Sequence, residues 1–259
     1  MIFVLLSCFF LTLLPIANGQ QQQQKKLVID LKPFCPTPGN QEEIGACVGF
    51  AAGYGAMSIL QAVQHQWTDA PTIEQHVFSA SFIYNQIPKK KDNCQGAIKV
   101  EDALQLLKEK GNCLERDFEF TNDCLNQPNE EHLISASIYK IKDYKKIFSS
   151  KRSDTLTVNA KISLIKQYLN DSIPVIVDFQ LYRSFKELKK GMRLWIKKTS
   201  KFEKYQNLHT MVIIGFNENE NTFEVMNSWG TEWGNNGFIK IGFEEFIEYC
   251  SGGYVILPK

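Results

Sequence analysis

The chain has 259 residues, of which 44% are hydrophobic and 22% charged, with 29 basic against 28 acidic side chains. That length and apolar content suffice to bury a sizeable core. A formal net charge of +1 supplies no broad field of one sign, which argues against nucleic acid or an anionic membrane surface as partner.

In chain order, residues 1–19, MIFVLLSCFFLTLLPIANG, carry no charged side chain and end in Ala17-Asn18-Gly19. Small residues at that point read as the cleavage site of an export signal. The apolar stretch is short for a bilayer span and is interrupted by Pro15, so the expectation is a secreted or periplasmic protein without stable membrane insertion after cleavage. Residues 20–26, five glutamines and two lysines, read as a spacer, and 27–259 as the folded domain. KPFCPTPGN, residues 32–40, reads as an extended approach to a turn. From Cys47 to about Gln64, apolar residues recur at Phe50, Tyr54, Met57 and Ile59 or Leu60, predicting a buried helix. Gly49 and Gly53 lie one turn apart on it and would admit another backbone. Further helices are predicted over 100–112, stopped by Gly111, and over 160–171. Strands follow at 173–179, 208–216, 221–229, 237–243 and 252–257, where β-branched and aromatic residues alternate with polar turns. The pattern is α+β: a mainly helical lobe over about 40–135 and a β lobe over about 136–259 joined by the N-terminal strand, with a cleft between them.

Beyond the leader lie Cys35, Cys47, Cys94, Cys113, Cys124 and Cys250. Export permits disulfides. No CxxC pair and no His/Cys cluster with zinc spacing occurs, so neither a metal nor another cofactor is expected. Cys47 is placed where its helix should begin, and a helix N-terminus with a nearby imidazole activates a thiol. The four histidines are His65, His76, His132 and His209. The first three lie in polar sequence and read as surface residues. His209 is embedded in an apolar strand, which by itself more often means a satisfied core residue. The following strand changes that reading, because it delivers Asn227, able to accept a hydrogen bond from the ring, and Trp229, able to shield that bond from water. Cysteine, histidine and asparagine then form a complete charge-paired nucleophile.

Gln41 six places before Cys47, GACVGF, LHTMVIIGF around His209 and NSWGTEWGNNGF from Asn227 to Phe238 together resemble the papain-like cysteine peptidases, family C1, from about Leu27 to the C-terminus. The resemblance implies a two-lobe fold with a β-barrel-like C-terminal lobe. It also implies an exported peptidase, with Cys47 as nucleophile, His209 as general acid/base, Asn227 as orienter of the ring and Gln41 as oxyanion donor with the Cys47 N–H. Gly96, Thr210 and Trp229 would line the substrate cleft, a peptide or protein substrate and a proteinaceous inhibitor would be the partners, and the protein would act as a monomer. A catalytically inactive peptide-binding or adhesion module on the same fold is the alternative. Three positions depart from the family: Glu42 where glycine is usual, Ile44 where cysteine is usual, and Val48 where an aromatic residue is usual. The family's long inhibitory propeptide has no counterpart between residue 19 and the first strand. Ile44 removes half of a cross-link common in the family, so two bridges are expected, one among Cys94, Cys113 and Cys124 and one between Cys35 and Cys250, leaving one free cysteine besides Cys47.

Overall fold

The computed structural model describes residues 27–89, 94–150, 154–197 and 203–259. The expected export signal and Gln-rich spacer lie outside the described residues. Strand β1 (Val28–Asp30) leads into a short 3-10 turn, Lys32–Phe34, where an extended chain was expected. Pro33, second in that turn, is the reason, since its fixed φ suits the first turn of a helix, where its missing N–H is not needed.

The helix expected from Cys47 is one rod in three parts. α1 (Cys47–Gly49) runs through a π-helical segment (Phe50–Met57) into α2 (Ser58–His65). The anticipated close approach is present: a Cβ on Gly49 would stand 2.5 Å from the Ala80 carbonyl oxygen, so only glycine lets the rod lie against the next helices. These are α3 (Ala70–Gln75) and α4 (Ala80–Gln86), capped by the Asp69 and Ser79 side chains. α5 (Val100–Glu109) buries Val100, Ala103, Leu104, Leu106 and Leu107 along one stripe, carries Glu101 and Asp102 in its first turn, and is closed by Gly111 at φ +86. α6 (Glu130–Ile138) is fixed by a capping box between Asn129 and His132.

The second half supplies β2 (Asp143–Ser149), α7 (Val158–Asn170), β3 (Val175–Tyr182), α8 (Arg183–Lys186), β4 (Leu194–Trp195), β5 (Tyr205–Asn217), β6 (Thr222–Met226), β7 (Phe238–Gly242), α9 (Phe243–Tyr249) and β8 (Cys250–Leu257). Among the described residues they form one sheet in the order β2-β8-β3-β5-β6-β7-β4, with β1 added to β5. Strand β5 is buried without interruption from His209 to Phe216, because strands flank it and the central rod packs on it, with Gly55 against Val212. The strand expected over 221–229 stops at Met226. The Asn227 N–H still donates to the Gly237 carbonyl, but Ser228 and Trp229 pair instead with the segment before the rod: the Gln41 N–H donates to the Ser228 carbonyl, and Asn40 bridges Trp229.

Among the described residues one disulfide joins Cys94 to Cys124, and Cys113 is free and buried. The expected Cys35–Cys250 bridge does not form, and both residues are free thiols. Sheet order is the cause. Cys35 follows β1, which lies on β5, whereas Cys250 opens β8, which is separated from β5 by β3. Each thiol donates locally instead, to the carbonyls of Leu31 and Gly252.

Candidate active site

Cys47 is the first residue of α1, behind Ala46, which offers no capping side chain. The first-turn N–H groups of a helix have no intrahelical partners, so the cysteine sits beside unsatisfied donors. It is buried, and burial raises its thiol above the ordinary value, opposed by the polar groups of the nearby Thr210. Thr210 follows His209 in β5, so the fold sets the nucleophile candidate against the residue next to the histidine.

His209 emerges from the buried run of β5, with its Nε2 2.7 Å from Asn227 Oδ1. That same oxygen accepts from the Ser228 N–H at 2.8 Å. A backbone N–H can only donate, so the amide oxygen is the atom facing both groups, and Nε2 must carry the proton. The basic nitrogen is then Nδ1. Trp229 stacks on the imidazole, with ring centroids 4.7 Å apart and an interplanar angle of 25°. Burial pushes the imidazole down to about 4, with the hydrogen bond to Asn227 opposing the shift and the charge of Lys186 adding to it.

Gln41 is buried and held at both ends. Its Oε1 accepts from Ser228 Oγ at 2.6 Å, and its Nε2 donates to the Ile44 carbonyl at 2.7 Å. One Nε2 hydrogen remains for a ligand. Beside it Glu42, exposed, adopts a left-handed backbone at φ +51. The Gly45 N–H donates to the Cys94 carbonyl, and a Cβ on Gly45 would stand 2.8 Å from the carbonyl oxygens of Gln95 and Gly96. Gly96 therefore lies against the approach to Cys47, and its carbonyl also accepts from the Tyr84 hydroxyl at 2.8 Å. The loop after Asn227 turns tightly because Gly237, at φ +86, has Pro38 where a Cβ would be.

Of the residues expected from sequence, Cys47, His209, Asn227, Gln41, Thr210, Trp229 and Gly96 all fall in this region. His65 and His76 instead pack on Trp67, and His132 serves its helix cap. Sequence reasoning passed over Ser228, which ties Gln41 to the asparagine loop, and Asp178, whose carboxylate accepts from Thr210 Oγ1 at 2.8 Å. The available signals were the position of Ser228 directly after Asn227 and a carboxylate embedded in the apolar run IPVIVDF.

The family model for papain family cysteine proteases matches residues 33–251. The chain belongs to the papain family of cysteine proteases. A curated relative, the uncharacterized peptidase C1-like protein L477 of Acanthamoeba polyphaga mimivirus, is 26% identical over 230 residues, covering 84% of this chain and 69% of the viral protein. Among solved structures, xylellain, a cysteine protease from Xylella fastidiosa, superposes with a TM-score of 0.72 at 19% identity, covering 90% of this chain and 87% of xylellain. The Carica candamarcensis cysteine protease CMS1MS2, solved with E-64, gives a TM-score of 0.64 at 16% identity over 91% of this chain and all of that one, 100%. The architecture is accordingly the papain-like α+β fold, and the protein is a peptidase of this family.

Proposed function

We propose that the protein is an exported cysteine peptidase in which Cys47, His209, Asn227 and Gln41 carry the reaction. The carrying observation is the Nε2-protonated His209, clamped between Asn227 Oδ1 and Trp229 and adjoining the residue that contacts Cys47. Burial disfavours charge on both partners, so the resting pair is a neutral thiol and a neutral imidazole. His209 Nδ1 takes the thiol proton as sulfur attacks the peptide carbonyl. The oxyanion is held by Gln41 Nε2 and the Cys47 N–H. The imidazolium then gives its proton to the leaving amine, and water, deprotonated by the same imidazole, hydrolyses the thioester. Gly96, Thr210 and Trp229 line the cleft, between a helical lobe over about 40–135 and a β lobe over about 136–259. The Cys94–Cys124 disulfide supports an oxidising compartment, in keeping with the leader read from the sequence.

The test is active-site titration with a cysteine-directed epoxide, together with hydrolysis of a peptide library. One equivalent of label on Cys47 and loss of both labelling and hydrolysis in a folded Cys47→Ala variant are expected. Hydrolysis that survives in Cys47→Ala eliminates the scheme. A peptide-binding module without turnover would leave Cys47 unlabelled.

A further inference from the structure

The formal net charge of +1 conceals an uneven distribution: residues 183–197 carry Arg183, Lys186, Lys189, Lys190, Arg193 and Lys197, with Glu187 as the acid among them. Part of this excess lines an open hollow of about 410 Å³, whose walls are Arg183, Lys186, Glu187, Lys204 and Gln206. Strand pairing builds it. β3 and β5 are still in register at Tyr182 and Tyr205, and the Arg183 N–H donates to the Lys204 carbonyl at 3.2 Å, which sets the cations of α8 beside the one that precedes β5.

The carboxylates nearby are engaged. Glu187 Oε1 accepts from Arg183 Nε at 2.7 Å, and Glu203 Oε1 accepts from the Ser184 N–H and hydroxyl at 3.2 and 2.6 Å. Lys186 and Lys204 are exposed, and among the described residues neither has an ion pair. Gln206 Nε2 donates one hydrogen to the Lys204 carbonyl at 3.2 Å and keeps the other. Two ammonium groups, the outer N–H groups of a guanidinium and an amide N–H around one hollow suit an anion with several oxygens.

The hollow adjoins the candidate active site. Phe185, inside α8, packs on Trp229 with ring centroids 5.9 Å apart, and Trp229 stacks on His209. The Lys186 charge accordingly disfavours the protonated imidazole. The other titratable groups facing this part of β5 are Cys47 from α1 and Asp178 from β3, both at Thr210; Phe179 of β3, Asn227 and Trp229 meet His209 without charge. Lys186 therefore opposes the step in which His209 takes the thiol proton, and an anion beside Lys186 offsets that opposition.

We propose that the hollow of Arg183, Lys186, Lys204 and Gln206 binds a sulfate or phosphate group, and that its occupancy activates the peptidase. The activation rests on the peptidase reading above; the binding does not. A bound oxyanion stabilises the imidazolium, which speeds attack near neutral pH and also raises the pH at which protonation of His209 stops the reaction. Because the hollow is open, the group can arrive as a free ion or on a polymer such as a sulfated polysaccharide.

The experiment titrates inorganic sulfate at constant ionic strength, balanced with chloride, and records kcat/KM against pH. A saturable rise of about two- to threefold near neutral pH is expected, with the acid limb moving up by about 0.3–0.5 unit, the effect of one charge at roughly 10 Å in a solvated setting. Lys186→Gln lacks the opposing charge, so it should show the raised limb without sulfate and no further response to it. Binding is read apart from turnover: sulfate should shield Lys186 and Lys204, but not the distant Lys142, from an amine-acylating reagent, followed by mass spectrometry. A sulfated oligosaccharide that moves the limb at tenfold lower concentration assigns the group to a polymer, and one that needs the same concentration assigns it to the free ion; either supports the site. Absence of shielding, a rise matched by chloride alone, or a Lys186→Gln protein that keeps the full response overturns the inference. If sulfate shields the lysines but no peptide is cleaved and Cys47 takes no label, the peptidase reading falls and the anion site stands. An active enzyme without shielding removes the anion site alone.

Discussion

At the scale of single residues, the arrangement assigns different work to groups that touch one another. Asn227 fixes which nitrogen of His209 is basic without moving a proton, so Asn227→Ala should lower turnover less than His209→Ala, for which a loss of about 10²–10⁴-fold is expected. Equal losses, or no effect of Asn227→Ala, would refute that division of roles in steady-state kinetics. Glu42 occupies a left-handed backbone where the family usually has glycine. That conformation costs a side-chain-bearing residue about 1–2 kcal/mol, against about 0.5–1 kcal/mol of extra unfolded-state entropy for glycine. Glu42→Gly should therefore raise stability by up to about 1 kcal/mol in chemical denaturation. An unchanged or lower midpoint would show that the Glu42 side chain makes an offsetting contact.

At the scale of elements, the site is assembled where a helix start, a mid-sheet strand and a loop meet, and two close approaches hold that meeting in place. The rod bearing Cys47 lies on α4 through Gly49, where a new Cβ would meet backbone rather than a movable side chain. Gly49→Ala should consequently lose about 1–3 kcal/mol by overpacking, despite the better helix propensity of alanine. A stability gain measured by denaturant titration would contradict the packing. The second is the Cys94–Cys124 disulfide, which spans 30 residues and tethers the strand of chain that reaches Gly45 and carries Gly96. Loop-closure entropy for a span of that length is worth about 3–4 kcal/mol. A Cys94→Ala/Cys124→Ala protein should unfold earlier by roughly that amount and show a raised KM from the loosened cleft wall. Unaltered KM with lost stability would place the bridge outside substrate binding.

For the whole molecule, the buried imidazole links folding to pH. His209 titrates near 4 in the folded chain against 6.5 for an ordinary histidine, so the unfolded chain takes up a proton that the native state refuses. Its contribution is fully present above 6.5 and is lost as pH falls toward 4, a swing of about 3 kcal/mol. The raised carboxyl of Asp178 acts in the opposite sense, its contribution being lost as pH rises, so the measurement must isolate the histidine. The stability difference between the native protein and His209→Gln, followed by denaturant unfolding between pH 7 and pH 4, should shrink by that amount. A pH-independent difference would mean that His209 is not refusing the proton. Activity should fall on the acid side with the same group, since a protonated His209 cannot accept the thiol proton.

The sequence by itself determined the α+β class, the long rod from Cys47, the helices around 100–112 and 160–171, and which residues to look for at the candidate site, because these rest on periodicity, turn chemistry and side-chain chemistry that are local or are written into short motifs. It also named the three-cysteine segment that holds the bridge. Only the tertiary structure decided that Cys94 pairs with Cys124, that Cys35 and Cys250 stay apart, that the 221–229 strand ends at Met226, and that Asp178 accepts from the Thr210 hydroxyl beside His209. The bridge depends on how two loops of the helical half pack together, and the other three on which strands become neighbours and in what register. A pattern of period two tells that a strand has a buried face, but strand order is set by the summed packing of segments far apart in the chain, and that sum is not carried by any one of them.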